Sequence, residues 1–310
     1  MSCRKRIAVT GGSGFLGTAC IKLLKEHYDI ISLGRKATET LNESIGHIEV
    51  RHMCTDYSVN ELSEIFEHCS GVIHLASQKA TPQNESGGLQ AFFPSIAVAE
   101  NVFKAAEIQG IKNVVVASSR CVYGTHTSNS FNELDETKPI NYYGVSKVAV
   151  EQLALYYNET RDMNIKLLRF GQIVGGECKN VFSAFIDCVI QGRQLSIITE
   201  DIRDYIHVED AANAIVCAVK HSDSLGLFNV SSGVGCAPIE IAMALQQVSN
   251  LDIDVAYANE NNQQEPTRIV LDCTRAHDTF DWSCTYDTVL GIADALFHAT
   301  VGESFSCRHT

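Results

Sequence analysis

Short apolar runs alternate with longer amphipathic ones through the first half of the chain. Ile7 to Val9 is apolar and leads through a glycine-rich turn into a helical stretch from Phe15 to Glu26. Asp29 to Leu33 and His47 to His52 read as the next strands, Val59 to His68 as a short helix, and Val72 to Ala76 as a fourth strand. Leu89 to Gln109 reads as a long helix, Asn113 to Ala117 as a fifth strand, Tyr143 to Arg161 as a helix and Ile165 to Phe170 as a sixth strand. Apolar strands that alternate with helices predict an α/β fold, a doubly wound parallel sheet with right-handed crossovers. Ligands of such sheets sit beyond the carboxyl ends of the strands.

The second half is more mixed. Val181 to Gln191, Val208 to Lys220, Pro238 to Val248 and Tyr286 to His298 have helical patterns, and Leu227 to Val230 reads as a strand that returns to the sheet. The expected organisation is a nucleotide-binding domain over residues 1–174, then a smaller substrate lobe over 175–300 and a tail over 301–310. That lobe is expected to interleave with the sheet domain near 203–232.

The chain of 310 residues is long enough for one large or two ordinary domains. Its formal net charge of −13 argues against nucleic acid and anionic membrane surfaces, which reward clustered Lys and Arg. The basic start Met1 to Arg6 is followed by too short an apolar run for a secretory leader, and no run reaches transmembrane length. The 12 cysteines are scattered, with no CxxC pair and no His-Cys cluster. They read as small buried apolar residues in a reducing, cytoplasmic setting, and no metal site is expected.

Three glycines, Gly11, Gly14 and Gly17, join the first strand to the first helix. Such a turn lets a pyrophosphate approach the backbone at a helix N-terminus, the fingerprint of a Rossmann-type dinucleotide site. Gly11, Ser13, Gly14, Phe15, Leu16 and Gly17 are therefore cofactor candidates. NAD enzymes commonly place an acidic residue at the end of the second strand, where this chain has Gly34 and Arg35, followed by Lys36. A guanidinium without a carboxylate favours a 2′-phosphate, so NADP is the first expectation and NAD the alternative. Asp56 and Tyr57 after the third strand, and Leu75, Ala76 and Ser77 at the end of the fourth, lie along the same cofactor path.

Tyr143 and Lys147 stand one helical turn apart on one face. The ammonium is expected to stabilise the phenolate, bringing the phenol down from about 10 so that Tyr143 exchanges a proton with a substrate hydroxyl or carbonyl. Ser119, at the mouth of the fifth strand, can hydrogen-bond the same oxygen.

At this point the chain resembles the extended short-chain dehydrogenase/reductase family, in its sugar nucleotide epimerase/dehydratase branch. The likeness rests on T-G-G-S-G-F-L-G at Thr10 to Gly17, H-L-A at His74 to Ala76 and S-S-x-x-V-Y-G at Ser118 to Gly124. YxxxK at Tyr143 to Lys147, L-R-F at Leu168 to Phe170 and R-D-Y-I-H-V-x-D at Arg203 to Asp210 extend it. It implies a catalytic set of Ser119, Tyr143 and Lys147, with Lys147 also on the nicotinamide ribose, and Arg203 on the substrate's pyrophosphate. It further implies a homodimer built on the helices near Leu89 to Gln109 and Tyr143 to Arg161. Lys79, Arg120, Cys121, Gln172 and Arg268 join Ser119 and Arg203 as substrate candidates.

The departures matter as much. Dehydratases of the family carry T-D-E before V-Y-G, and this chain has Ser119-Arg120-Cys121, which argues against 4,6-dehydration. Where the family often has a second phosphate arginine, the chain reads N-Q-Q-E-P at Asn262 to Pro266, with Arg268 nearby as partial compensation. Read alone, Arg203 has Asp204 as an obvious ion-pair partner, and His207 reads as a core or turn histidine. Cys121 matches a neighbouring enzyme type in which a cysteine moves protons on the sugar ring. The leading expectation is an NADP(H)-dependent reductase of a nucleotide-activated keto sugar, of 4-keto-6-deoxy type, with Tyr143 as proton donor. The alternatives are a nucleotide-sugar 4-epimerase with tightly held NAD, and a cofactor-binding regulator without turnover.

Overall fold

A computed structural model describes residues 4–35, 50–125, 130–175, 178–258 and 266–306. Its main sheet has seven parallel strands in the order β3-β2-β1-β4-β5-β6-β10. These are β1 (Arg6–Thr10), β2 (Asp29–Gly34), β3 (Arg51–Cys54), β4 (Cys69–His74), β5 (Asn113–Ser119), β6 (Asn164–Phe170) and β10 (Gly226–Val230). Strand order reverses between β1 and β4, which opens a crevice at their carboxyl ends.

The alternation along β1 shows how both faces are buried. Ile7 and Val9 enter a cluster with Ile21 and Leu24 of α1 (Phe15–Leu24) and with Ile215 and Val219 of α7 (Val208–Lys220). Ala8, pointing the other way, enters a cluster with Leu62 of α2 (Val59–Phe66), Phe103 of α4 (Phe93–Ile108) and Val150 of α5 (Tyr142–Thr160). The expected sheet and its helices are present, and the part of the expected third strand that is described begins at Arg51. Three pieces differ from the sequence reading. A short helix α3 (Pro82–Ser86) precedes α4, whose own start is delayed by a tight turn at Leu89–Ala91. The last helix, α10, spans Val289–Ser306 instead of starting at Tyr286. The Asp210 carboxylate takes the backbone N–H groups of Thr285 and Tyr286, at 2.9 Å each, and so holds that stretch as a loop.

A second sheet is built on β9 (Ile202–His207), which the sequence patterning did not single out as a strand. It pairs with β7 (Gln172–Val174) and β13 (Arg268–Ile269) in parallel and with β11 (Gly235–Cys236) antiparallel. Phe182, Phe185 and Ile186 of α6 (Val181–Ile190), Ile241 and Leu245 of α8 (Pro238–Ser249), and Tyr205 form its core. A remaining pair, β8 (Leu195–Ile197) with β12 (Val255–Tyr257), lies beside it, and α9 (Thr274–Phe280) packs on β10. Asp204 ties this sheet to the main one: its carboxylate accepts from Ser231 Oγ (2.6 Å), Ser232 Oγ (2.8 Å) and Leu271 N (3.0 Å) just beyond β10 and β13.

No helix among the described residues is long and apolar enough to cross a membrane. The described cysteines are all unpaired; Cys20, Cys236 and Cys273 are buried, whereas Cys54 is exposed, so the reading of cysteines as buried small residues holds only for some.

Candidate active site

The glycine turn is shaped by close approach. Gly11 has φ of +70°, and a Cβ there would lie 2.8 Å from the Ala76 nitrogen, so the turn sits against the end of β4 as only glycine allows. A Cβ on Gly17 would collide with the Gly11 carbonyl, so α1 rests directly on the turn. The α1 N-terminus begins at Gly14 with no side-chain cap and no acidic residue in its first turn, leaving N–H donors at the crevice. These features fit a pyrophosphate.

The neighbouring candidates divide. Leu75, Ala76 and Ser77 line the end of β4 beside Gly11. At the end of β2, Gly34 packs under His52 and Ser13, and Arg35 is exposed; Lys36 lies outside the described residues. Asp56 is exposed, and its carboxylate accepts from Ser58 N at 2.7 Å, which holds it below the usual carboxylate range. Tyr57 departs from expectation. Its backbone is in the left-handed region (φ 63°), and this turns the ring into the core, where the hydroxyl donates to Leu33 O at 3.4 Å. The hydroxyl also interacts with the backbone of Gly11, so the side chain supports the glycine turn from within the core.

Around Tyr143 the chain builds a closed group. Glu85 of α3 accepts from Tyr142 N (2.9 Å) and Tyr143 N (3.0 Å), and Asn141 accepts from Gly144 N (2.7 Å), so the start of α5 is fully capped and Tyr143 is fixed at its first turn. The Tyr143 phenol hydrogen-bonds with Ser119 at the end of β5. Lys147 is buried, with Nζ donating to Ala117 O at 2.8 Å and lying 5.5 Å from the Tyr143 ring centre. Ser119, Tyr143 and Lys147 are therefore brought together as the spacing predicts. Their electrostatics differ from the expectation. Burial pushes the Tyr143 phenol up, with Ser119 and Arg120 opposing, and burial brings Lys147 down to about 8 while Glu151 opposes. The ammonium alone does not depress the phenol, because the same desolvation weakens its own charged form. His74 of the H-L-A motif stays neutral: it is buried, bonds to Thr10 Oγ1 at 2.8 Å, and is lowered to about 3 by burial and then by Lys147.

The substrate candidates also separate. Arg120 and Cys121 lie in a tight helical turn, Arg120–Val122, that follows directly on β5. Arg120 Nη2 donates to Gln172 Oε1 at 3.1 Å. Cys121 is half-buried and close enough to Tyr143 and Lys147 to influence both electrostatically. Arg203 pairs with Asp201 (2.7 Å), not with Asp204, which is consumed by the serine contacts described above. Arg268 does not join this group. It stands opposite Ile202 while Arg203 stands opposite Ile269, so the two side chains leave opposite faces of the sheet, and Arg268 lies against Gly235. Lys79 is exposed, with its carbonyl held by Asn84. His207 caps α7 as a turn histidine. Most of the stretch from Asn262 to Pro266, and Gly176 with Glu177, lie outside the described residues.

Sequence reasoning missed Glu85 and Asn141, which cap α5, and also Asp201 and Glu151. Glu151 carried a usable signal, four residues after Lys147 and thus on the same helix face.

A family model described as the NAD dependent epimerase/dehydratase family matches residues 7–231. The chain belongs to that family. Membership makes it an enzyme of nicotinamide-dependent nucleotide-sugar chemistry. A UDP-glucose 4-epimerase of Lacticaseibacillus casei is 26% identical over 337 residues, covering 98% of this chain and 99% of that protein. The solved UDP-N-acetylglucosamine 4-epimerase of Bacillus cereus superposes with a TM-score of 0.83 at 25% identity, covering 96% of this chain and 99% of that one. The UDP-glucose 4-epimerase of Stenotrophomonas maltophila, solved with bound NAD and formylated UDP-arabinopyranose, has a TM-score of 0.84 at 20% identity; it covers 97% of this chain and 100% of its own, and speaks for the fold.

Proposed function

We propose that the protein is a nucleotide-sugar 4-epimerase that acts on a UDP-activated sugar. The carrying observation is the enclosed grouping of Ser119, Tyr143 and Lys147 at the mouth of β5, in a chain that aligns end to end with a UDP-glucose 4-epimerase. The reductase reading that the sequence put first has no relative to support it among these matches. Elimination of water is disfavoured by Arg120 and Cys121, which stand where acids would be needed.

In this reading Tyr143 Oη, ionised in the complex with substrate and cofactor against the burial that raises its phenol, takes the proton from the hydroxyl of the reacting carbon and later returns it, and Ser119 holds the same oxygen. Lys147, anchored on Ala117 O, keeps positive charge beside the phenol and orients the nicotinamide ribose. The nicotinamide, when bound, supplies hydride acceptance and return. The α1 N-terminus and the Gly11 turn hold its pyrophosphate. The cofactor is NAD, supported by the family and by the NAD-bound epimerase named above; a second reading, NADP, is favoured by one feature, the Gly34-Arg35 turn without a carboxylate. A homodimer through α4 and α5, which pack side by side, belongs to the same proposal.

The test is direct. Purified protein mixed with UDP-glucose and no added nicotinamide should form UDP-galactose, followed by the anomeric proton signals. Absence of interconversion, together with stoichiometric NADPH consumption on a keto-sugar nucleotide, would return the reductase reading.

A further inference from the structure

The arginine assigned to the substrate by motif is already engaged. Arg203 Nη2 pairs with Asp201 at 2.7 Å, and its Nη1 donates to the carbonyls of Ile202 and Thr267, both at 3.0 Å. Arg120 is placed differently. It is half-buried, its side chain donates to the neutral Gln172 amide, and it has no carboxylate partner among the described residues. Gln172 is the register partner of Tyr205 on β9, and Arg203 stands two residues before Tyr205 on the same face. The Arg120 guanidinium thus lies between the Tyr143 phenol and the Arg203–Tyr205 edge, and it acts electrostatically on all three.

Two guanidiniums with one carboxylate between them leave a net positive spot in a protein whose formal charge is −13. Half-burying an unmatched cation beside another cation is unfavourable, and an anionic oxygen group relieves it with short charge-assisted hydrogen bonds. Arg120 still has donors beyond the one on Gln172, since a guanidinium carries five.

We infer that Arg120 is a substrate-binding residue, holding an anionic oxygen group of the substrate between the hydroxyl served by Tyr143 and the edge marked by Arg203. The inference rests on the nucleotide-sugar reading. Two sources carry such a group at this position: the diphosphate, and a carboxylate on the sugar ring.

The experiment compares dissociation constants of UDP, UDP-glucose and UDP-glucuronate for the parent, Arg120→Met and Arg120→Lys, measured by titration calorimetry on the protein as purified. Loss of one charge-assisted contact predicts about 10- to 100-fold weaker binding to Arg120→Met, with Arg120→Lys between the two. Equal weakening for all three ligands supports the diphosphate as the source, and weakening confined to UDP-glucuronate supports a ring carboxylate. Parent-like affinity of Arg120→Met for every ligand overturns the inference and leaves the epimerase reading standing. Should Arg120→Met fail to fold, Arg120→Lys decides: weakened binding supports the inference, and parent-like binding of all three overturns it. A parent that binds none of the three at millimolar concentration overturns both readings.

Discussion

Arg169 and Glu151 meet in a two-pronged ion pair sealed beneath the catalytic residues, with Nε 2.9 Å from Oε1 and Nη2 2.7 Å from Oε2. The side chains are 3% and 1% exposed. Ser118, next to Ser119, donates to the same carboxylate at 2.6 Å, and Arg169 also donates to the Tyr123 hydroxyl at 2.8 Å. The pair therefore locks α5, which carries Tyr143 and Lys147, to the strand ends that carry Ser119. Glu151→Gln leaves the guanidinium buried and uncompensated, and should cost about 3–5 kcal/mol in a urea melt. Replacing both partners by apolar residues of similar volume should cost less than that single change. A loss below about 1 kcal/mol for Glu151→Gln would show that the pair is dispensable.

Tyr143→Phe removes the phenol oxygen while leaving Glu85 and Asn141 to cap α5. Turnover should fall by roughly two to four orders of magnitude with nicotinamide binding retained. A rate within about threefold of the parent would remove Tyr143 from the proton path.

Asp204 gives a pH signature. Burial raises its carboxyl to about 6, from the ordinary 3.8, despite its serine and backbone donors. Between those values the folded state holds a proton that the unfolded state has lost, so this group makes stability fall as pH rises from about 4 to about 6, by up to about 3 kcal/mol. Asp204→Asn should remove that component, flattening the difference between unfolding free energies measured at pH 4 and pH 6.5. Equal pH slopes in parent and variant would contradict it.

Cofactor choice turns on Arg35. If the Gly34-Arg35 turn receives a 2′-phosphate, Arg35→Ala weakens NADP(H) by about 10-fold or more and spares NAD(H). A parent that prefers NAD, with equal effects of the substitution on both cofactors, agrees with the NAD reading and marks Arg35 as a solvated surface residue.

The sheet and the triad were readable because both rest on local regularities. Val114 to Val116 is apolar on both faces, as a central parallel strand must be, and Tyr143 and Lys147 repeat at one helical turn. What escaped depended on contacts far apart in sequence. β9 carries Arg203, Asp204 and His207, whose polarity hid a strand, because Asp204 is satisfied by Ser231 and Leu271 and Arg203 by Asp201 and Thr267. The separation of Arg268 from Arg203 follows from strand register, which no spacing within either segment encodes. The direction of the Tyr143 shift was misjudged for a related reason: burial of the pair is a property of the closed fold, and the sequence shows only that the two residues are neighbours.

In a 4-epimerase, hydride leaves one sugar carbon and returns to it without an external donor. UDP-glucose deuterated at C4, incubated with the purified protein in ordinary water and without added nicotinamide, should yield UDP-galactose that keeps its deuterium at C4 by NMR. Product that has lost the label to solvent, or product that forms only as added NADPH is consumed, would contradict the account.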